Sequence, residues 1–243
     1  MTTSVGRRRL LVIGAHAADF VWRAGGVIAK HTAAGWEATV VALSYGERGE
    51  SGELWREEGQ TVERVKQIRE AEARAAAGAV GASFVSYDLG DYPLEVPAAV
   101  ERRLADLMVE LAPATVLTHT AVDPFNPDHP VAHRAASRAR LLAMGAGGVP
   151  AAFPTIRPPA LFVFEPHQPE ACRFAPDTFV DVTAVWERKQ AAMAAMGSQR
   201  YLTEHYAERN RQRAVQSRYA GTDRGTLRVE VFQRLTPELR ELL

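Results

Sequence analysis

The chain is short of most features that mark specialised protein classes. Among its 243 residues there is one cysteine, Cys172. That excludes an internal disulfide framework and any thiolate cluster, so a metal would have to be held by His, Asp or Glu. An excess of one charge is missing too: 29 Lys+Arg stand against 29 Asp+Glu, a balance that argues against a dedicated nucleic-acid or membrane-surface binder. Long apolar runs are absent. Arg7, Arg8 and Arg9 precede one in the manner of a signal peptide, but it ends at Ala15 and meets His16 and Asp19, too soon for a secretory core or a membrane span. A soluble cytoplasmic protein is the expectation. No Gly-x-Gly-x-x-Gly follows the first apolar run and no Gly-x-Ser-x-Gly occurs, which removes the dinucleotide fingerprint and the hydrolase nucleophile elbow. Internal repeats and low-complexity segments are also lacking. Cys172 has no nucleophile context and reads as a small buried hydrophobe. Trp22, Trp36, Trp55 and Trp186 read as packing residues.

What is present is a globular composition, 47% hydrophobic and 24% charged, on a chain long enough to bury a sizeable core. Leu10–Gly14 is an unbroken apolar run, as expected of a strand buried on both faces. Helical spacing follows over Ala24–Ala34, then a strand over Glu37–Leu43 and a Gly- and Glu-rich loop over Ser44–Trp55. A long helix is predicted over Glu57–Val80, with Val62, Val65, Ile68, Ala71 and Ala75 on its apolar face. A strand at Phe84–Tyr87, a helix at Pro97–Leu111 and a strand at Thr115–Thr118 complete the regular part. Strands alternating with helices at this spacing predict an α/β fold with a mostly parallel sheet and helices on both faces. Beyond Gly145 the pattern loosens. Pro150, Pro154, Pro158 and Pro159 suggest an extended connection. Strands at Leu161–Phe164 and Thr178–Val182 and helices at Ala184–Met196 and Glu204–Tyr219 follow. The mild basic excess of residues 187–243 reads as a solvated helix face. The whole, residues 1–243, is expected to be a single domain whose portion 145–243 is less regular.

Sites in parallel α/β sheets lie beyond the carboxyl ends of strands, so the polar clusters are read there. The first strand ends in Gly14-Ala-His16-Ala-Ala-Asp19, where an imidazole and a carboxylate on one turn can converge on a cation. The fourth ends in His119, followed by Asp123-Pro-Phe-Asn126-Pro-Asp128-His129 and His133, a dense group for a chain with seven histidines. His129 opens a helix and shares a face with His133. His133 reads as a helix packing residue and His119 as a strand-end histidine bonded to backbone. Two strand ends thus bring His16, Asp19 and His129 together, a ligand set that leaves an open position on a tetrahedral metal. A metal so held can acidify water or polarise an oxygen.

The Leu-Val-Ile-Gly-Ala-His-x-x-Asp start, the Gly46-Glu-Arg-Gly-Glu50 loop, Arg69-x-x-Glu72 and Pro-Asp-His129 resemble the LmbE/PIG-L zinc deacetylase family over roughly residues 8–135. The resemblance implies a Rossmann-like fold and Zn2+, or another divalent metal, held by His16, Asp19 and His129. Two positions depart from it. The family's first motif reads Ala-His-Pro-Asp-Asp, with its first Asp as the general base on an amide; here Ala17 and Ala18 stand in place of Pro and that Asp. The second reads His-Pro-Asp-His, where the first His steadies the tetrahedral intermediate; here that residue is Asn126. A methyl group cannot accept a proton, so the metal set is kept while the amide-cleaving groups are lost. The run from His16 to Gly26 and Asn126-Pro-Asp-His-Pro-Val-Ala-His133 resemble the family's 4-oxalomesaconate hydratase branch. That likeness implies hydration of a small polycarboxylate enol in aromatic catabolism. Such a substrate calls for cationic forks, and Arg23, Arg69, Arg48 and the amide Asn126 are the candidates. Proton transfer falls to Glu50, with Glu47 in reserve, and to His167 beyond the fifth strand. Competing readings are a zinc-dependent N-deacetylase of an acetylated sugar or amine, using Glu50 or Asp128 as base, and a non-catalytic metal-bound module. Expected partners are the small substrate and further copies of the chain, with neither nucleic acid nor membrane.

Overall fold

A computed structural model describes residues 8–147, 155–222 and 225–238; Arg7, Pro150 and Pro154 lie outside them. Its core is a seven-stranded sheet in the order β3-β2-β1-β4-β5-β7-β6. The strands are β1 (Arg9–Gly14), β2 (Glu37–Ala42), β3 (Ser83–Ser86), β4 (Thr115–Thr118), β5 (Ala160–Phe164), β6 (Thr178–Asp181) and β7 (Val229–Arg234). Pairings from β3 across to β5 are parallel, while β7 runs antiparallel to both β5 and β6. The sheet is mostly parallel, as the alternation of elements predicts.

β1 shows why a short apolar run becomes a central strand. Leu10 and Val12 belong to the layer formed with α1 (Asp19–Ala33), α2 (Val62–Val80) and α5 (Trp186–Ala195). Leu11 and Ile13 belong to the layer formed with α3 (Ala98–Leu111) and α4 (Asp128–Met144). Both faces are covered, so neither set of alternating side chains can be polar. Each such side chain taken fully out of water contributes about 1.5–3 kcal/mol. No helix among the described residues is long and apolar enough to cross a membrane.

Three expectations need correction. α1 begins at Asp19 rather than Ala24, because its first turns are buried and carry no amphipathic signal. α2 begins at Val62, where the Thr61 hydroxyl accepts the Arg64 N–H at 3.2 Å, and its buried face is Val65, Arg69, Ala73, Ala76, Ala77 and Val80, not the stripe through Ala71 and Ala75. Alanine on every side of this helix gives a weak period, and the buried guanidinium of Arg69 turns the face. β7 was not expected. Its Glu230 is buried and paired with Lys189 of α5 at 2.6 Å, so a strand interior carries a charge that reads as solvated.

That ion pair reaches the site. Lys189 Nζ donates to Trp22 O at 3.0 Å and to Asn210 Oδ1 at 2.9 Å, Asn210 lying on α6 (Leu202–Gln216). Glu230 accepts the mid-helix N–H groups of Gly26 and Val27 at 2.9 and 2.7 Å. α1, α5, α6 and β7 are thereby tied at the turn of α1 that carries Arg23.

Candidate metal centre and active site

The carboxyl ends of β1 and β4 place His16, Asp19, His119 and His129 in one buried cluster. Asp19 does not cap its helix outward. Its Oδ2 turns back to accept the His16 N–H at 2.7 Å. Asp19 Oδ2 lies 3.6 Å from His16 Nδ1, and Asp19 Oδ1 lies 3.7 Å from His129 Nε2. Those two ring nitrogens are buried and have no hydrogen-bond partner. Their opposite nitrogens are taken by carboxylates: His16 Nε2 lies 3.1 Å from Asp128 Oδ2, and His129 Nδ1 lies 2.7 Å from Asp123 Oδ2. Since a carboxylate only accepts, each imidazole donates from that nitrogen, and in its neutral form it turns the lone pair of the other nitrogen to the shared space. Two inward lone pairs beside a buried carboxylate suit a divalent metal, with the outer carboxylates fixing each tautomer. The residues present therefore fit a metal.

Around this cluster, three groups of His and acidic residues have ligand atoms close enough to share an ion: His16, Glu50 and His129; Asp19, His119 and His129; His16, Asp91 and Asp128. His16 and Asp128 already face one another through a hydrogen bond, and Asp91 accepts the Arg48 and Gly49 N–H groups. The unpartnered His16 Nδ1 and His129 Nε2 favour the position beside Glu50 and Asp19.

Two hydrogen-bonded turns make the walls. Asp123 Oδ1 accepts the N–H groups of Phe125 and Asn126 at 3.0 and 3.1 Å, so one side chain shapes the turn and aims His129. Asp128 Oδ1 accepts the Leu94 N–H at 2.8 Å and Oδ2 the Tyr92 N–H at 3.0 Å. The Tyr92 ring consequently stacks on His16, 6.1 Å between centroids. In the loop after β2, Gly46 has φ +72°, and a Cβ there would stand 2.9 Å from Glu50 Cβ and 3.2 Å from His16 Cβ. Only glycine admits both the left-handed turn and that approach.

Electrostatics divide these residues. Burial alone would lower the His16 pKa, but the Asp128 hydrogen bond and the charges of Glu50, Asp19 and Asp128 outweigh it and raise His16 to about 9. Asp19 is also penalised by burial, yet the imidazoles around it hold it well below the usual carboxylate range. His129 is pushed well down by burial and by the charges of His119 and Arg23, and so stays neutral.

The predicted residues separate into those at the cluster and those beside it. Glu50 is at the cluster: Oε1 lies 3.8 Å from His16 Nδ1 and accepts Asn126 Nδ2 at 2.9 Å, while Oε2 accepts Gln199 Nε2 at 3.0 Å. Asn126 thus directs its amide to Glu50. Arg23 is buried, with Nε 3.6 Å from Asp19 Oδ1 and NH1 donating to Glu165 O at 3.2 Å. His167 follows β5, its Nδ1 3.4 Å from the Tyr206 hydroxyl. Desolvation and the nearby Arg23 and Arg209 guanidiniums lower it to about 3, which keeps it neutral. Arg69 spends its donors inside the protein, on Tyr45 O, Glu72, Ser198 Oγ and Gln199 Oε1. Arg48 is half exposed and reaches toward Asp91 and Glu47. The Glu47 carboxyl is fully buried facing Arg48 at 3.6 Å and Lys66 at 3.7 Å, and burial together with Asp91 raises its pKa.

His133 Nδ1 is bonded to His119 O at 2.8 Å, and His119 Nε2 lies 3.0 Å from the Ala15 N–H, so both pack as expected. His119 also touches Asp19 Oδ2 at 3.0 Å and stacks on His129. Cys172 is buried. Sequence reasoning did not single out Asp123, Tyr92, Tyr206 or Gln199. The Asp-Pro-x-Asn spacing could have pointed to the Asp123 turn. Nothing in the sequence marks Gln199, which comes from a distant turn.

Comparison with known proteins agrees with this geometry. Residues 11–140 match the family model described as PIG-L, GlcNAc-PI de-N-acetylase. A 4-oxalmesaconate hydratase of Pseudomonas putida is 46% identical over 212 residues, spanning 87% of this chain and 82% of that protein. The crystal structure of the 4-carboxy-2-hydroxymuconate hydratase of Pseudomonas putida superposes with a TM-score of 0.94 at 44% identity, covering 97% of this chain and 99% of the other. The N,N'-diacetylchitobiose deacetylase of Pyrococcus horikoshii shares the fold at a TM-score of 0.74 and 19% identity, over 95% of this chain and 84% of that one.

Proposed function

The chain belongs to the PIG-L family, and from that premise we propose that it is a metal-dependent hydro-lyase of aromatic catabolism. It adds water to 4-carboxy-2-hydroxymuconate, the enol of 4-oxalomesaconate, and gives 4-carboxy-4-hydroxy-2-oxoadipate. The observation that carries this reading is the pairing of two unpartnered imidazole nitrogens beside Asp19 with Ala18 in the adjoining position. The methyl group beside Asp19 is buried and accepts no proton, while Glu50 stands at the cluster with both oxygens held by amides. The hydratase relatives are similar along almost the full chain; the deacetylase at 19% identity shares the fold.

His16 Nδ1, a carboxylate oxygen of Asp19 and His129 Nε2 would hold the metal, which we take to be zinc. When bound, it supplies a positive centre that lowers the cost of negative charge on an oxygen. The chain's own residues do the rest. Arg23, buried with its Nε 3.6 Å from Asp19 Oδ1, pairs with a substrate carboxylate. Hydration of the dienol needs two proton deliveries. One goes to C5, as the C2 hydroxyl loses its proton and the double bond moves to C3–C4. Water then adds its hydroxyl to C4, its own proton is removed, and a proton goes to C3. Two protons enter and two leave, so the net change is one water. Glu50, facing the ligand cluster, takes the proton from water. His167, 3.4 Å from the Tyr206 hydroxyl, exchanges the enol proton once substrate carboxylates offset the Arg23 and Arg209 charges that help hold its pKa down. Arg69 and Asn126 act on Glu50 rather than on the substrate.

The test follows the conjugated absorbance of the enol. Zinc-loaded protein removes it with formation of the hydroxy-oxo product, and chelated protein does not. Persistent absorbance with zinc-loaded protein, or release of acetate from N-acetylated sugars instead, contradicts the reading.

A further inference from the structure

Gln199 lies outside the stretch that matches the family model, in the short turn Gly197–Gln199 between α5 and α6. Its side chain is buried, 1% exposed. The Oε1 atom receives Trp22 Nε1 at 3.2 Å and Arg69 NH2 at 3.2 Å. Both groups are donors only, so the amide has one allowed orientation, with its NH2 directed at Glu50 Oε2, 3.0 Å away. Arg69 is itself locked by Tyr45 O, Ser198 Oγ and Glu72. On the other side of Glu50, Asn126 Oδ1 accepts the Asp128 N–H at 3.1 Å, which likewise fixes its NH2 toward Glu50 Oε1.

We propose that Gln199 is a positioning residue that, opposite Asn126, aims the Glu50 carboxylate at the space between His16 and His129. The proposal rests on the reading of Glu50 as the group that accepts a proton from water. The need for a second jaw follows from the side chain. Glu50 stands on a loop, has three rotatable bonds, and its side chain is 22% exposed. One amide holds one oxygen and leaves the carboxylate free to swing about it. Two amides on the two oxygens fix its plane and keep Oε1 beside His16 Nδ1. Orientation of a reacting group is worth orders of magnitude in rate, and a displacement of about 1 Å costs about a hundredfold. A segment far along the chain from the ligand motifs thereby completes the proton acceptor.

The experiment uses zinc-loaded Gln199→Met, which keeps side-chain length without a donor, and Gln199→Glu, which keeps the acceptor for Arg69 and Trp22 but presents oxygen to Glu50. Steady-state rates on the enol, zinc content, melting temperature and a crystal structure of each variant are compared with wild type. A 10- to 100-fold loss in kcat is expected, with KM within threefold, one zinc per chain, and Glu50 turned from His16. Arg69→Lys, which loosens Gln199, should lower kcat in the same manner. A kcat within twofold of wild type overturns the proposal, as does a loss confined to KM, or Glu50 in its wild-type place in both variants. If wild type itself leaves the enol untouched, the hydratase reading falls, and the position of Glu50 in the variant crystals still decides the role of Gln199.

Discussion

Metal uptake by the apoprotein should release close to one proton per metal at pH 7 to 8, and that proton comes from His16. Burial would by itself favour neutral His16, but Asp128, Glu50 and Asp19 raise it to about 9. The metal needs the Nδ1 lone pair, so the imidazolium must first lose a proton. His129 is held neutral and Asp19 ionised, so neither contributes a proton. An ordinary histidine with a pKa near 6.5 would release about 0.2 protons at pH 7 and almost none at pH 8. The apparent affinity should therefore rise about tenfold per pH unit from pH 7 to 9 and then level off, roughly a hundredfold in all. Folding is linked with the opposite sign. A raised histidine pKa stabilises the apoprotein fully below about 6.5, and that stabilisation, about 3 kcal/mol, is lost as pH rises through 9. Calorimetry of zinc binding in buffers of different ionisation enthalpy counts the proton. Asp128→Asn removes the hydrogen-bonded carboxylate, so its proton release at pH 8 should fall toward zero and its affinity above pH 9 should drop about 10- to 100-fold. Release below about 0.3 protons by wild type at pH 8, or unchanged release by Asp128→Asn, would refute the reasoning.

Other consequences are measurable with the same preparations. Glu50→Gln should retain zinc and lower kcat about 10²- to 10⁴-fold, read from enol consumption alongside metal analysis. At Gly49 an added Cβ would stand 2.1 Å from the Tyr92 ring that covers His16. Gly49→Val should displace that ring and destabilise the protein by about 1–3 kcal/mol in urea titration. Lys189→Met leaves Glu230 buried without its cation and should cost about 3–5 kcal/mol, whereas Lys189→Met combined with Glu230→Gln should cost less.

Sequence patterns read the layered sheet and the two turns that bring His16, Asp19 and His129 together better than they read the supporting shell, and the reasons are local. β1 is visible because burial on both faces forces consecutive apolar residues, and His16, Asp19 and His129 are visible because two short motifs hold them. Glu50 is marked by its place after β2. Gln199 is different, since its role depends on where the chain returns between α5 and α6 and on donors from Trp22 and Arg69. Arg69 looks like a solvated or substrate-facing arginine because nothing local shows that four internal acceptors surround it. β7 escaped notice for the same reason: Glu230 is legible as buried only once Lys189 is placed beside it. Partners distant along the chain decide these residues, and periodicity carries no record of such partners.

The most direct measurement titrates metal-free protein with zinc while recording the initial rate of enol loss. The account predicts a rate that rises linearly and breaks at one zinc per chain, with His16→Ala and His129→Ala showing neither the rise nor the break. A rate independent of zinc, or a full rate in those variants, would contradict it.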